Sequence, residues 1–126
     1  MNDHLDSISQ SLNRLHREGE AGIYKVSEEK KYYIQASGEK GGDTLYVEAV
    51  SNNFLAPKFQ LDQNKESQLR SLGWIPPEKS EGNFYRELVV KSDQDRKEVA
   101  DFLFKTLKQV YELSINTDLN IELVLE

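Results

Sequence analysis

Leu5, Ile8, Leu12 and Leu15 recur at spacings of three and four in an otherwise polar run, which places them on one stripe of a helix from Asp3 to Glu18. Asn2 or Asp3 can cap its start, and Gly19 supplies the stop. The period then shortens. "GIYKV" reads as a short strand, while "KKYYIQAS" and "DTLYVEAV" are longer ones, rich in tyrosine and β-branched residues. The "GEKGGD" between the latter two is turn chemistry, so they predict a hairpin with a loop of about six residues. "SNNFLAPKFQLD" follows neither period and reads as irregular, and a short helix is expected from about Gln63 to Leu72.

The chain then breaks sharply. Gly73 stands where a helix needs positive φ to turn away, and Trp74 is the residue that commonly packs back onto the last helical turn. Ile75 precedes Pro76 and is pushed toward extended backbone, so the helix cannot resume. Trp74 is expected to pin this helix to the sheet; exposure for recognition is the alternative. "EKSEGN" is a loop and "FYRELVVK" a strand. Ser92 with Asp95 has the spacing of a capping box. The helix it opens carries an unbroken stripe: Val99, Phe102, Leu103, Thr106, Leu107, Val110 and Tyr111. "SINTD" is expected to end it. "LNIELVLE" closes the chain with strict alternation, Leu119, Ile121, Leu123 and Leu125 on one face and Asn120, Glu122, Val124 and Glu126 on the other.

A hairpin with helices segregated elsewhere implies an α+β fold, with a mostly antiparallel sheet and helices packed on one face. Parity sends Ile34, Ala36, Leu45, Val47, Ala49, Phe84, Leu88 and Val90 toward the helices. Tyr33, Tyr46, Tyr85, Glu48 and Glu87 then share the opposite face. Arg86 falls among the inward positions, which marks an edge strand or a parity error there.

The 126 residues, 37% hydrophobic and 10% aromatic, fit one globular domain spanning 1–126. No window approaches the ~18 consecutive apolar residues of a membrane span. The N-terminus lacks a basic, apolar signal-peptide pattern, so a cytoplasmic protein is expected. The net charge of −6, from 22 acidic and 16 basic side chains, argues against nucleic acid as a partner, because the densest basic runs have acids beside them. Without cysteine there is no thiolate metal site and no thiol catalysis. His4 and His16 stand roughly 18 Å apart along a continuous helix and cannot share a metal. Glu28–Glu29 is flanked by lysines, and Asp93 and Asp95 open a helix, where acids are favoured by the dipole. "GEKGGD" lacks the Gly-Lys-Ser/Thr ending of a phosphate loop and joins two strands. No catalytic residue, cofactor or metal is expected.

The order "TLYVEAVSNNFLAP", "LDQNKESQLRSLGWIPPE", "GNFYRELV" and "DRKEVADFLFKTLKQVYEL" resembles the YbjN-like and type III secretion chaperone-like (TY-Chap) family over Leu45 to Leu113. Its most specific piece is Leu72-Gly73-Trp74 followed by Pro76-Pro77. The resemblance implies a secretion-chaperone-like α/β fold, often dimeric, that binds peptide or protein segments and has no catalytic residues. The closing strand departs from secretion chaperones that end on the long helix; it extends the sheet or pairs across a dimer.

Two functional classes follow, with an enzyme bearing an unrecognised site as a third that a deep polar pocket would revive. The first is a non-enzymatic chaperone-like or adaptor module for a protein or peptide partner, its candidate contacts being Tyr33, Tyr46 and Tyr85 with Phe54 and Leu55 of the irregular segment. Against this, tyrosine suits any half-exposed strand, and Phe54, Leu55 and Phe59 suit a core plug beneath a loop. The alternative is an acidic immunity or inhibitor protein that blocks a basic partner. An acidic patch of Glu48, Glu87 and Glu122 would favour it, and a neutral apolar groove would favour the first. A free face and a free edge also lead to the expectation of a homodimer.

Overall fold

The computed structural model describes residues 3–78 and 81–125. The capping role of Asn2, Lys79 and Ser80 of the "EKSEGN" loop, and Glu126 lie outside the described residues.

Helix α1 (Asp3–Glu18) buries Ile8, Leu12 and Leu15, with Leu5 packed at the margin. It stops because Gly19 takes a φ of 65° while its N–H still reaches Leu15 O at 2.6 Å. Strand β1 (Glu20–Ser27) follows at once and is longer than "GIYKV" suggests. It is bonded on both sides, to β2 (Tyr32–Gly38) and to β5 (Asn120–Leu125), and those ladders carry Glu20 and Ala21 into the strand despite their weak preference for it. Strand β2 begins at Tyr32 because Lys30 and Lys31 complete the turn from β1. Lys31 sits at φ 62°, and its N–H donates to Ser27 O at 2.9 Å.

The expected hairpin of β2 and β3 (Thr44–Ala49) forms, with Ile34 opposite Ala49 and Ser37 opposite Tyr46. Strand β4 (Phe84–Val89) pairs outside β3, giving the order β4-β3-β2-β1-β5 with every neighbour antiparallel. The closing strand therefore extends this chain's own sheet.

Helix α2 (Gln63–Ser71) is capped by Asp62, whose carboxylate accepts the Lys65 N–H at 2.8 Å. At its other end Gly73 adopts φ 101°. The Gly73 N–H bonds Arg70 O and the Trp74 N–H reaches back to Leu69 O, both at 3.0 Å. Trp74 is 2% exposed, lies in the core shared by helices and sheet, and docks on helix α3 (Asp93–Gln109). Its ring stacks 5.1 Å from that of Phe102, and Nε1 donates to Thr106 Oγ1 at 3.0 Å. The next residue makes the link to the sheet: Ile75 exchanges two backbone hydrogen bonds with Tyr85 of β4, at 2.9 and 3.0 Å.

At the start of α3, Ser92 Oγ accepts the Asp95 N–H at 3.1 Å. Asp95 returns to Lys91 N–H at 2.8 Å, one residue earlier than a capping box would have it. The helix also stops earlier than "SINTD". It ends at Gln109, and Glu112, at φ 67°, turns the chain without a glycine so that Leu113 N–H bonds Leu107 O.

Helices α1 and α3 pack on each other and on the sheet, and the core lies between these layers. Val47, Ala49, Ile34, Ala36 and Phe84 all point into it, as parity predicts. Arg86 also faces this side, opposite Val47. It is tolerated because β4 is an edge strand: the guanidinium reaches past the edge to lie 5.2 Å from the Phe102 ring centroid. No helix among the described residues is long and apolar enough to cross a membrane.

Candidate functional site

The register of five antiparallel strands writes out the face that the helices leave bare. Its central row runs Glu122, Ile23, Gln35, Glu48, Tyr85, and the next runs Val124, Ala21, Ser37, Tyr46, Glu87. A third row holds Asn120, Lys25 and Tyr33. Small or neutral side chains thus floor the middle, with larger groups toward both sides, over a width of about 20 Å at ordinary strand spacing.

Tyr46 and Tyr85 are brought together, their rings stacked with centroids 6.2 Å apart and planes 25° from parallel. The Tyr85 hydroxyl donates to Glu78 Oε1 at 2.5 Å. That hydrogen bond, then burial and the Glu78 charge, push the Tyr85 hydroxyl above its ordinary pKa. For Tyr46, burial acts first and the charges of Glu48, Glu87 and Glu78 add to it, in the same direction. Both hydroxyls therefore keep their protons at physiological pH, and that of Tyr85 is already donated to Glu78. Tyr33 sits on the same face, where its hydroxyl accepts from Asn83 Nδ2 at 3.2 Å.

The two loop residues separate. Phe54 is 49% exposed at the end of a single-turn helix (Asn52–Phe54). Leu55 is 6% exposed and belongs to the core, as a plug beneath the loop would, so of the two Phe54 offers the larger surface. The segment is held by a polar latch. Ser51 Oγ donates to Gly82 O at 2.6 Å, and Ser51 N–H to Asn83 Oδ1 at 3.0 Å. Asn52 bonds both backbone groups of Leu61, accepting from N–H at 2.6 Å and donating to O at 2.9 Å. The "VSNN" and "GN" pieces of the sequence pattern are thus joints of the fold. Glu78 and Asn83, which position Tyr85 and Tyr33, carry no periodic signal, and sequence reading missed them.

Charge on the bare face is uneven. On the β1–β5 side Lys25 Nζ meets Glu122 at 2.8 Å and Glu28 at 3.7 Å. On the β3–β4 side Glu48 and Glu87 have no ion-pair partner among the described residues. Of the acidic patch that would favour an inhibitor, Glu122 is therefore paired, whereas among the described residues Glu48 and Glu87 are not.

On the helical side an open cleft of about 520 Å³ lies between the ends of α1 and α3 and the loop before β5, lined by His4, Phe104, Lys108, Ile115 and Asp118 among others. Its His4 ring touches the main-chain carbonyl of Ser114 at 3.0 Å, while the Ser114 and Thr117 hydroxyls bond each other at 2.9 Å. Among the described residues no nucleophile meets a base there. Among the described residues no group of three His, Asp or Glu side chains is placed to hold a metal.

A comparison with curated proteins and another with solved structures returned no match. The family model described as "T3SS (YopN, CesT) and YbjN peptide-binding chaperone 3" matches residues 3–123, nearly the whole chain and well beyond the segment carrying the sequence resemblance. With a five-stranded antiparallel sheet roofed by helices on one side, the chain belongs to this TY-Chap3 family of peptide-binding chaperones.

Proposed function

We propose that the protein is a non-enzymatic, chaperone-like module of the cytoplasm that holds an extended segment of a protein partner against the bare face of its sheet. The observation that carries this reading is the one-sided roof. Helices cover one face, and the other presents Tyr33, Tyr46 and Tyr85, with Tyr46 39% exposed. A tyrosine gives large apolar area and a hydrogen-bonding tip at low entropic cost, which suits a face alternately wet and covered. Phe54 extends the contact at the rim. A photo-crosslinking residue at position 46 tests the proposal against one at position 105 on the exposed side of α3. Partner capture from position 46 alone supports it, and capture from position 105 alone refutes it.

The sheet edges suggest how copies of the chain associate. Ile75 covers part of the outer edge of β4, whereas among the described residues β5 pairs with β1 alone. The bare β5 edge is where a second copy would pair to give a homodimer. Sedimentation as a monomer at high concentration would refute that.

Glu48 and Glu87, without an ion-pair partner among the described residues, favour a second reading, an inhibitor that blocks a basic partner protein. A neighbouring toxin gene would support it over the chaperone-like reading.

A further inference from the structure

The inference rests on the docking reading above and concerns what the bound segment carries. The β3–β4 register sets Tyr46 opposite Glu87 and Glu48 opposite Tyr85. Tyrosines thus occupy one diagonal of a four-residue patch and carboxylates the other. Like charges at neighbouring sheet positions cost stability when unpaired. The sheet does nothing to relieve them. Its strands contain two cations, Lys25 and Arg86, and both are committed elsewhere. Lys25 is paired to Glu122 on the far side of the face, and Arg86 lies on the opposite face over Phe102. Carboxylates without an ion-pair partner among the described residues and a partly exposed pair of tyrosine rings therefore coincide at one place.

We propose that this patch receives an arginine side chain of the bound segment, its guanidinium over the Tyr46–Tyr85 rings and its N–H groups donating to Glu48 and Glu87 on either side. A planar cation with donors around its edge can use both diagonals at once. An ammonium group can approach a ring or a carboxylate but has no plane to lay across the pair. Arg86 over Phe102 makes the cation–ring half of this pairing within the chain.

The test is selection from a random-peptide display library on the full chain, followed by fluorescence anisotropy with a selected peptide and its Arg→Gln counterpart. The double variant Glu48→Gln/Glu87→Gln, required first to match the parent in its unfolding midpoint, is run alongside. Selected peptides should be enriched in arginine. Affinity should fall by roughly tenfold or more on Arg→Gln, and as much in the double variant. Peptides selected without arginine enrichment, or an affinity unmoved by either change, overturn the inference and leave the docking reading standing. If no peptide of any charge is retained, both fall.

Discussion

Replacing Trp74, the chain's single tryptophan, by alanine tests the joint between α2, α3 and the edge of the sheet. The side chain is 2% exposed, stacks on Phe102 and donates from Nε1 to Thr106 Oγ1. Truncating a buried aromatic costs about 3–5 kcal/mol, against a total stability of roughly 5–15 kcal/mol for a small domain. Trp74→Phe separates the parts. It keeps a ring against Phe102 and loses the N–H bond, and the Thr106 hydroxyl still donates to Phe102 O at 2.9 Å, so no donor is stranded. That variant should cost about 1–2 kcal/mol. Since the intrinsic fluorophore is lost, urea unfolding is followed by circular dichroism. With a urea slope of about 1–3 kcal/mol/M, Trp74→Ala moves the midpoint down by about 2 M. A cycle with Thr106→Val should return a coupling of about 0.5–1.5 kcal/mol. An unmoved midpoint in Trp74→Ala would refute burial of the ring, and zero coupling would refute the hydrogen bond.

Gly73→Ala should cost about 1 kcal/mol or more, because alanine is strained at φ 101° and its Cβ would come within 2.8 Å of Arg86 Nη1; thermal melting checks it. Burial pushes the Tyr24 hydroxyl up to about 12, above its ordinary 10. The folded state then keeps a proton that the unfolded chain releases, so this stabilisation is complete below pH 10 and drains as pH rises toward 12, by up to about 3 kcal/mol. Urea midpoints stepped through that window should fall less steeply in Tyr24→Phe than in the parent. Hydrogen bonds from Lys30 and Lys65 hold the Glu112 carboxyl below its ordinary pKa. That contribution is present above the unfolded carboxylate pKa and is lost as pH falls through the folded one. Glu112→Gln should therefore cost under about 1 kcal/mol at neutral pH, with the deficit closing in acid.

Much of this architecture was legible because side-chain period is local. The stripe of α1, the alternation of β5 and the glycine-tryptophan break each follow from spacings of a few residues. Parity alone put Tyr33, Tyr46, Tyr85, Glu48 and Glu87 on one face. What parity does not carry is register between distant segments. The meeting of Tyr46 with Tyr85 depends on how β3 aligns with β4, and α2 with two irregular turns intervenes between them. The interior place of β1, between β2 and β5, is likewise a property of its two partners. Elsewhere the local signal was weak or misleading. The end of α3 rests on a left-handed glutamate, which few chains use, and nothing in the sequence separates the buried Leu55 from its half-exposed neighbour Phe54, since both suited contact or core alike. Arg86 was ambiguous for a physical reason: only at a sheet edge can an inward-pointing arginine bring its head group out of the core.

The most direct test titrates an isotope-labelled chain with a peptide selected on it and follows backbone amide shifts by nuclear magnetic resonance. Perturbations should gather at Tyr33, Gln35, Tyr46, Glu48, Tyr85 and Glu87 and leave the outer positions of α1 and α3, such as Arg14 and Asp101, unmoved. Shifts centred on those helical positions, with the tyrosine face silent, would contradict the account.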